Sequence, residues 1–142
     1  MNFVLKKFNE LNNDELYKIL KLRVDVFVVE QNCPYEELDN KDQDALHLYL
    51  EDNNEIKAYL RILNEDEIRI GRVISTDRRK GYAFMLMNKA FEICKERFNK
   101  ETIKIEAQVY AKEFYEKLGF KQSSDEFDLD GIKHIEMIKN NN

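Results

Sequence analysis

The sequence has few of the residues that interrupt or cross-link a chain. Its 142 residues include one proline, four glycines and two cysteines. So few prolines and glycines exclude long flexible linkers, and no internal repeat or low-complexity tract marks a second domain. Cys33 and Cys94 are far apart and form no C-x-x-C pair, which favours reduced thiols in a cytoplasmic protein. We therefore expect one domain that covers residues 1–142.

Long hydrophobic runs and a basic excess are also missing. No stretch reaches roughly 18 consecutive apolar residues, and Met1 to Phe8 lack the apolar core of a signal peptide. We expect no membrane partner and a soluble, cytoplasmic location. The 23 Lys and Arg against 28 Asp and Glu give a net charge of −5, which argues against a general nucleic-acid binder.

The first part of the chain predicts a strand followed by a helix. Phe3 to Phe8 has strand character, and Asn12-Asn13-Asp14 supply helix-capping side chains. Apolar residues at steps of three and four predict an amphipathic helix over 15–30. The next segment, 34–44, is an acidic loop, which we interpret as solvated, although it is also suited to attract a cationic acceptor.

The rest of the chain predicts a mixed α/β sheet. Three alternating segments at 45–51, 56–63 and 68–75 favour an antiparallel meander. We then expect the following elements: a helix over 83–98, a strand over 102–109, a helix over 111–118, and strands over 124–129 and 132–138. The predicted order is β-α-β-β-β-α-β-α-β-β, a mixed, mostly antiparallel sheet flanked by helices.

A basic segment precedes the second long helix. It reads Arg78-Arg79-Lys80-Gly81-Tyr82-Ala83. A helix N-terminus carries partial positive charge and unpaired N–H groups, so cations at this position call for an anion to offset them. Gly81 and Ala83 leave the backbone uncovered, which favours a phosphate site. The alternative is a basic cluster on a solvated turn.

Two motifs resemble those of a known family. Arg78-x-x-Gly81-x-Ala83 is similar to the Gln/Arg-x-x-Gly-x-Gly/Ala loop with which GNAT-type N-acetyltransferases hold the pyrophosphate of coenzyme A. Ala111-x-x-Phe114-Tyr115-x-x-x-Gly119-Phe120 is similar to a second GNAT segment. Arg79 departs from the pattern, since relatives usually carry glycine there, and the link from Val73 to Arg78 is a residue or two short.

Further blocks resemble the ElaA-like branch of this family. They are Leu22-Arg23, the segment from Val26 to Tyr35, Asp39, Asp42, His47, Ile70-Gly71-Arg72-Val73 and Asp130-Gly131-Ile132-x-His134-Ile135. The resemblance implies a GNAT-like fold and direct transfer of an acetyl group from acetyl-CoA to a primary amine of a small molecule or peptide. We expect a monomer or a homodimer.

The resemblance also implies roles for individual residues. Tyr115 would give a proton to the departing thiolate; otherwise it is a packing aromatic. The pantetheine arm would lie along the backbone of Val73, Ile74 and Ser75 and near the Gln108 amide, which is otherwise a strand-end polar residue. The pyrophosphate would contact the loop Arg78, Arg79, Lys80, Gly81, Tyr82 and Ala83.

The base that accepts the amine proton stays open among four residues. Glu30, His47, Glu106 and His134 are candidates, and imidazole titrates near neutrality. We expect Glu30, His47 and His134 to contact the acceptor, although a histidine on a strand can also be structural. Cys33, His47, Cys94 and His134 have none of the short ligand spacings of zinc modules, so we expect no metal.

Two other functions compete with an acetyltransferase. The unusual loop and the absence of an obvious base leave a non-catalytic CoA- or acyl-CoA-binding module as the alternative. A nucleic-acid-binding protein that uses Arg78, Arg79 and Lys80 is disfavoured by the acidic balance.

Overall fold

The computed structural model describes all of residues 1–142 and contains one mixed sheet of eight strands. The strands are β1 Asn2–Lys7, β2 Leu46–Asp52, β3 Glu55–Asn64, β4 Ile68–Ser75, β5 Thr102–Gln108, β6 Lys121–Gln122, β7 Phe127–Leu129 and β8 Ile132–Asn140. Their order is β1-β2-β3-β4-β5-β8-β6, with β7 also paired to β8. Only β4 and β5 pair in parallel, which confirms the predicted mixed, mostly antiparallel sheet.

Three α-helices flank the sheet: α1 Asn13–Arg23, α2 Tyr82–Arg97 and α3 Lys112–Lys117. The Asn12 side chain accepts from the Glu15 amide and caps α1. The helix predicted to continue to Glu30 does so, but Val24–Glu30 is wound as a wider π-helix. Short 3-10 turns occupy Phe8–Glu10, Asp42–Asp44 and Val109–Ala111. None of the helices combines the length and hydrophobicity that a membrane span requires.

The two faces of the sheet carry separate cores. α2 buries Leu86, Ala90 and Cys94 against apolar strand residues such as Leu60 and Ile105. On the opposite face, Ile19 of α1 packs with Tyr49 and Tyr59. Burial of each large apolar side chain contributes about 1.5–3 kcal/mol, so both helices are fixed on the sheet.

A bulge in β4 bends this strand away from β5. The β3–β4 register shifts between Tyr59 and Arg61, so that Arg72 and Val73 together lie opposite Leu60. Arg72 takes a left-handed backbone conformation, with φ +55°, and such a bulge bends and twists its strand. β4 and β5 pair only at Ile68–Ile103 and Arg69–Lys104. Beyond that point the strands diverge and leave a cleft in the sheet.

The acidic loop is not fully solvated, contrary to our interpretation from sequence. Glu37 and Asp42 are buried. Glu37 accepts from Arg23 Nε at 2.6 Å and from Arg72 Nε at 2.8 Å, and Asp42 accepts from Arg23 Nη1 at 2.6 Å. A buried carboxylate is stable only when it is paired and hydrogen-bonded, so these arginines hold the loop against the sheet.

Candidate active site

A cavity of about 310 Å³ lies where β4 and β5 diverge. Its walls include Gly71 and Val73 of β4, Ala107 of β5 and Tyr115 of α3. The acidic loop, β8 and the π-helical segment close the remaining sides. The diverging strand edges leave backbone N–H and C=O groups without a strand partner, and such groups require another partner.

Tyr115 lies in this cavity with an unused hydroxyl. Its ring packs edge-on against Phe114 and Phe120, at centroid distances of 5.0 and 5.8 Å. The Tyr115 hydroxyl makes no hydrogen bond within the chain. Arg61 Nε is the only unpaired side-chain polar atom that is sealed from solvent, so the Tyr115 hydroxyl is not sealed and can be reached from the cavity. Burial raises the pKa of Tyr115 above its usual value, so the phenol is protonated at neutral pH and can donate a proton.

Gln108 also lines the cavity and pairs with Gln31. The Gln108 amide donates to Gln31 Oε1 at 3.1 Å, and the Gln31 amide donates to Gln108 Oε1 at 3.3 Å. Gln31 was not among the residues that we predicted for the site. It lies within the ElaA-like segment from Val26 to Tyr35, and this resemblance is the signal that could have identified it.

His134 faces Gln108 across the β5–β8 ladder and lines the same cavity. Its Nδ1 lies 2.8 Å from the Ile132 carbonyl oxygen. A carbonyl can only accept, so Nδ1 carries the proton in neutral His134 and Nε2 keeps its lone pair. Nε2 has no partner and is not sealed off, which leaves it available as a proton acceptor.

His47 is far less accessible than the sequence led us to expect. Its side chain is fully buried, with Nδ1 2.7 Å from the Tyr59 hydroxyl and Nε2 2.9 Å from the Asp42 carbonyl. Both ring nitrogens are therefore occupied, and His47 does not line the cavity. This corrects the expectation that His47 contacts the acceptor, because its imidazole supports the acidic loop instead.

Of the two carboxylate candidates, Glu106 lines the cavity and Glu30 does not. The Glu30 side chain is 62% exposed, and its Oε1 lies 3.9 Å from Arg78 Nη2. The Glu30 carboxylate therefore lies in solvent beside the basic turn and outside the cavity, and its contact with an acceptor stays a prediction. Cavity residues that sequence analysis missed are Tyr35, Arg61, Arg69, Lys104 and Tyr110. Arg69 and Lys104 are polar residues at alternating positions of β4 and β5, and Tyr35 lies in the ElaA-like segment from Val26 to Tyr35.

The N-terminus of α2 presents a row of free amides. Gly81 precedes the helix with φ +71°, and no side chain caps it. The N–H groups of Gly81, Tyr82, Ala83 and Phe84 have no acceptor within the chain. Arg78, Arg79 and Lys80 are exposed beside them. Free amides, the positive end of the helix dipole and three cations together favour binding of an anion.

Comparison with known proteins agrees with this geometry. The family model for the acetyltransferase (GNAT) domain matches residues 12–141. A UPF0039 protein of Schizosaccharomyces pombe is 43% identical, with 96% of this chain and 95% of the relative covered. Protein ElaA of Escherichia coli is 37% identical, with 92% and 91% covered.

Solved structures give the same result. The crystal structure of Escherichia coli ElaA has a TM-score of 0.92 at 35% identity, covering 98% of this chain and 99% of ElaA. That of an acyl-CoA N-acyltransferase from Pseudomonas aeruginosa has a TM-score of 0.91 at 33% identity, with the same coverage of 98% and 99%. The chain therefore belongs to the GNAT acetyltransferase family, in its ElaA-like branch.

Proposed function

We propose that the protein is an acetyl-CoA-dependent N-acetyltransferase that transfers the acetyl group directly to a primary amine of a small molecule or peptide. The observation that carries the proposal is the continuity of two features. β4 forms one wall of the cavity that contains Tyr115, and its C-terminal end leads directly into the turn with the free amides of α2. β4 thus leads from the cavity that contains the candidate proton donor to the candidate anion site.

The turn before α2 suits the pyrophosphate of coenzyme A. The amides from Gly81 to Phe84 supply donors, and Arg78 and Lys80 supply charge. A Cβ built on Gly81 would have no atom within 4 Å, so the backbone is open to a ligand. The Arg79 amide donates to Asp77 Oδ1 at 3.0 Å, so Arg79 contributes its side-chain charge rather than its N–H.

The cleft suits the pantetheine arm. From Val73 to Ser75, the edge of β4 that faces β5 has no strand partner. The amides and carbonyls of this edge can therefore bind the amide groups of pantetheine. Gln108 lies on the opposite wall. Its pairing with Gln31 fixes the orientation of its amide and leaves one N–H and one lone pair for the ligand.

The residues in the cavity fit the proton transfers that the reaction needs. Acetyl-CoA supplies a thioester; the amine nitrogen forms a bond to its carbonyl carbon, and the carbon–sulfur bond breaks. Tyr115 gives its hydroxyl proton to the leaving thiolate. His134 Nε2 takes the proton that the amine nitrogen loses, directly or through water.

A thiol-release assay with acetyl-CoA and a panel of primary amines tests the proposal, together with calorimetric titration of CoA. We expect stoichiometric CoA binding and turnover with at least one amine. CoA binding without turnover of any amine would favour a non-catalytic CoA-binding module instead. Absence of CoA binding would contradict both.

A further inference from the structure

The charged side chains that line the cavity differ in how far their hydrogen bonds are used within the chain. Arg61 donates to Asp39 Oδ1 at 2.8 Å and to Asp42 Oδ1 at 3.0 Å. Lys104 Nζ lies 2.9 Å from Glu67 and 3.3 Å from Glu136. Both carboxylates raise the pKa of Lys104, and its hydrogen bond to Glu67 raises it most. These cations are engaged by the protein itself.

Arg72 is engaged in the same way. Its guanidinium donates to the Glu37 carboxylate at 2.8 Å and to the Glu37 carbonyl at 3.0 Å. A charge that is hydrogen-bonded to two acceptors in a partly buried setting is costly to detach. A ligand would therefore gain little by competing for Arg61, Arg72 or Lys104.

Arg69 and Glu106 are different. Arg69 is the last residue of β4 that pairs with β5, Glu106 lies two residues beyond its partner Lys104, and both line the cavity. Arg69 Nη1 is 4.0 Å from Glu106 Oε1, and Arg69 Nε is 3.4 Å from Glu65 Oε1. Both are ion pairs without hydrogen-bond geometry, so the five N–H donors of Arg69 make no hydrogen bond within the chain.

The Glu106 carboxylate is likewise free of hydrogen bonds, and its side chain is 45% exposed. A solvent-screened ion pair at this distance contributes little to stability, so a ligand can separate it at small cost. One wall of the cavity thus holds a guanidinium and a carboxylate that are both available, with opposite charges close together.

We infer that the acceptor is an amine that carries a carboxylate, with Arg69 binding the carboxylate and Glu106 binding the ammonium group. This inference rests on the proposed function. The closeness of the two charges favours an acceptor in which one or two carbons separate the amine from the acid, as in an α- or β-amino acid. Arg69 suits a carboxylate because its fork of donors matches two oxygens.

The test compares acids with their amides. Amino acids and β-alanine are assayed for acetylation beside the corresponding carboxamides, in which only the negative charge is removed. We expect the acids to be the better acceptors. Arg69→Gln should raise KM for the acids roughly 10- to 100-fold, as for loss of a charge-assisted hydrogen bond, with kcat little changed and the amides unaffected.

Arg97→Gln provides the matched control, because Arg97 lies exposed at the far end of α2 and loses the same charge. Glu106→Gln is a second variant, which keeps the test usable if Arg69→Gln does not fold. It should raise KM for acids and amides alike, since both carry the ammonium group. Arg69→Lys should restore part of the acid preference.

The inference would be overturned if the amides are acetylated as efficiently as the acids. It would also be overturned if Arg69→Gln leaves the KM for the acids unchanged. If no amine is acetylated, the proposed function fails, and the inference is then judged by calorimetric titration of β-alanine and its amide into the CoA-bound protein. Arg69-dependent binding of the acid supports the ligand class, and its absence overturns it.

Discussion

Arg23 Nε lies 2.6 Å from Glu37 Oε2, and the two side chains are only 0% and 3% exposed. Arg23 ends α1, whereas Glu37 belongs to the acidic loop. The same guanidinium reaches Asp42 at 2.6 Å. Because Tyr35 and Asp39 of this loop line the cavity, the ion pair determines where one wall of the site lies.

Arg23→Met should destabilise the protein by about 3–5 kcal/mol, since it leaves the buried carboxylates of Glu37 and Asp42 without this partner. The free energy of unfolding from urea denaturation measures the effect. Lys21→Met is the matched control, because Lys21 lies in the same last turn and pairs with Asp25 at 2.7 Å in solvent. It should leave the unfolding free energy nearly unchanged. Equal losses in the two variants would contradict the buried network.

His47 should make stability depend on pH. Burial, assisted by the charges of Arg23 and Arg61, lowers the pKa of His47 below its ordinary value. As pH falls below about 6.5, the unfolded chain binds a proton at this residue before the folded protein does. The stabilisation is complete above that pH and declines below it, by at most about 1.4 kcal/mol per pH unit.

Urea denaturation between about pH 7.5 and pH 5.5 tests this prediction. His47→Gln keeps an N–H that can donate to the Asp42 carbonyl but does not titrate. We expect the wild-type unfolding free energy to decline over this range more steeply than that of the variant. The same slope in both proteins would assign the pH dependence to other groups.

Periodicity predicted most of the fold, and it failed where two or three residues decide the structure. The alternation at 45–51, 56–63 and 68–75 and the helical spacing of Leu86, Ala90 and Cys94 were confirmed. β6, Lys121–Gln122, is too short to show any period. The bulge at Arg72 could not be predicted, because arginine has no preference for a positive φ.

The buried network was missed for a different reason. Glu37, Asp39 and Asp42 occur in a segment rich in Asp and Glu, a composition typical of solvated loops. The partners Arg23, Arg61 and Arg72 lie in three separate elements, and only the folded sheet brings them together. The available signal was that Arg23 and Arg61 each stand directly between two apolar residues, which implies a buried counter-charge.

Gly81 offers a test of the proposed pyrophosphate site in which strain and ligand contact are separated. Gly81→Val places a β-branched residue at φ +71°, which costs about 1–2 kcal/mol of stability. Its Cβ meets no atom of the protein within 4 Å, so the remaining effect falls on the ligand. We expect CoA affinity to fall roughly tenfold or more, because one lost contact to a charged group is enough for that change.

Asn54→Val is the control for strain. Asn54 has φ +64° in the turn between β2 and β3, away from the cavity, and the variant should lose a similar amount of stability. Its CoA affinity should equal that of the wild type in calorimetric titration. If Gly81→Val also binds CoA normally, the phosphate does not lie against these amides.

Tyr115→Phe should separate chemistry from binding. The Tyr115 hydroxyl makes no hydrogen bond within the chain, so its removal should leave folding and CoA affinity nearly unchanged. If it protonates the thiolate, kcat should fall roughly 100-fold, the lower range for general acid catalysis. Tyr17→Phe, which removes an exposed hydroxyl on α1, should leave kcat at the wild-type value.

Because burial raises the pKa of Tyr115, wild-type kcat should not decline up to about pH 10 through loss of the Tyr115 hydroxyl proton. Unchanged turnover in Tyr115→Phe would contradict the role as proton donor and leave Tyr115 only a structural role, in packing against Phe114 and Phe120.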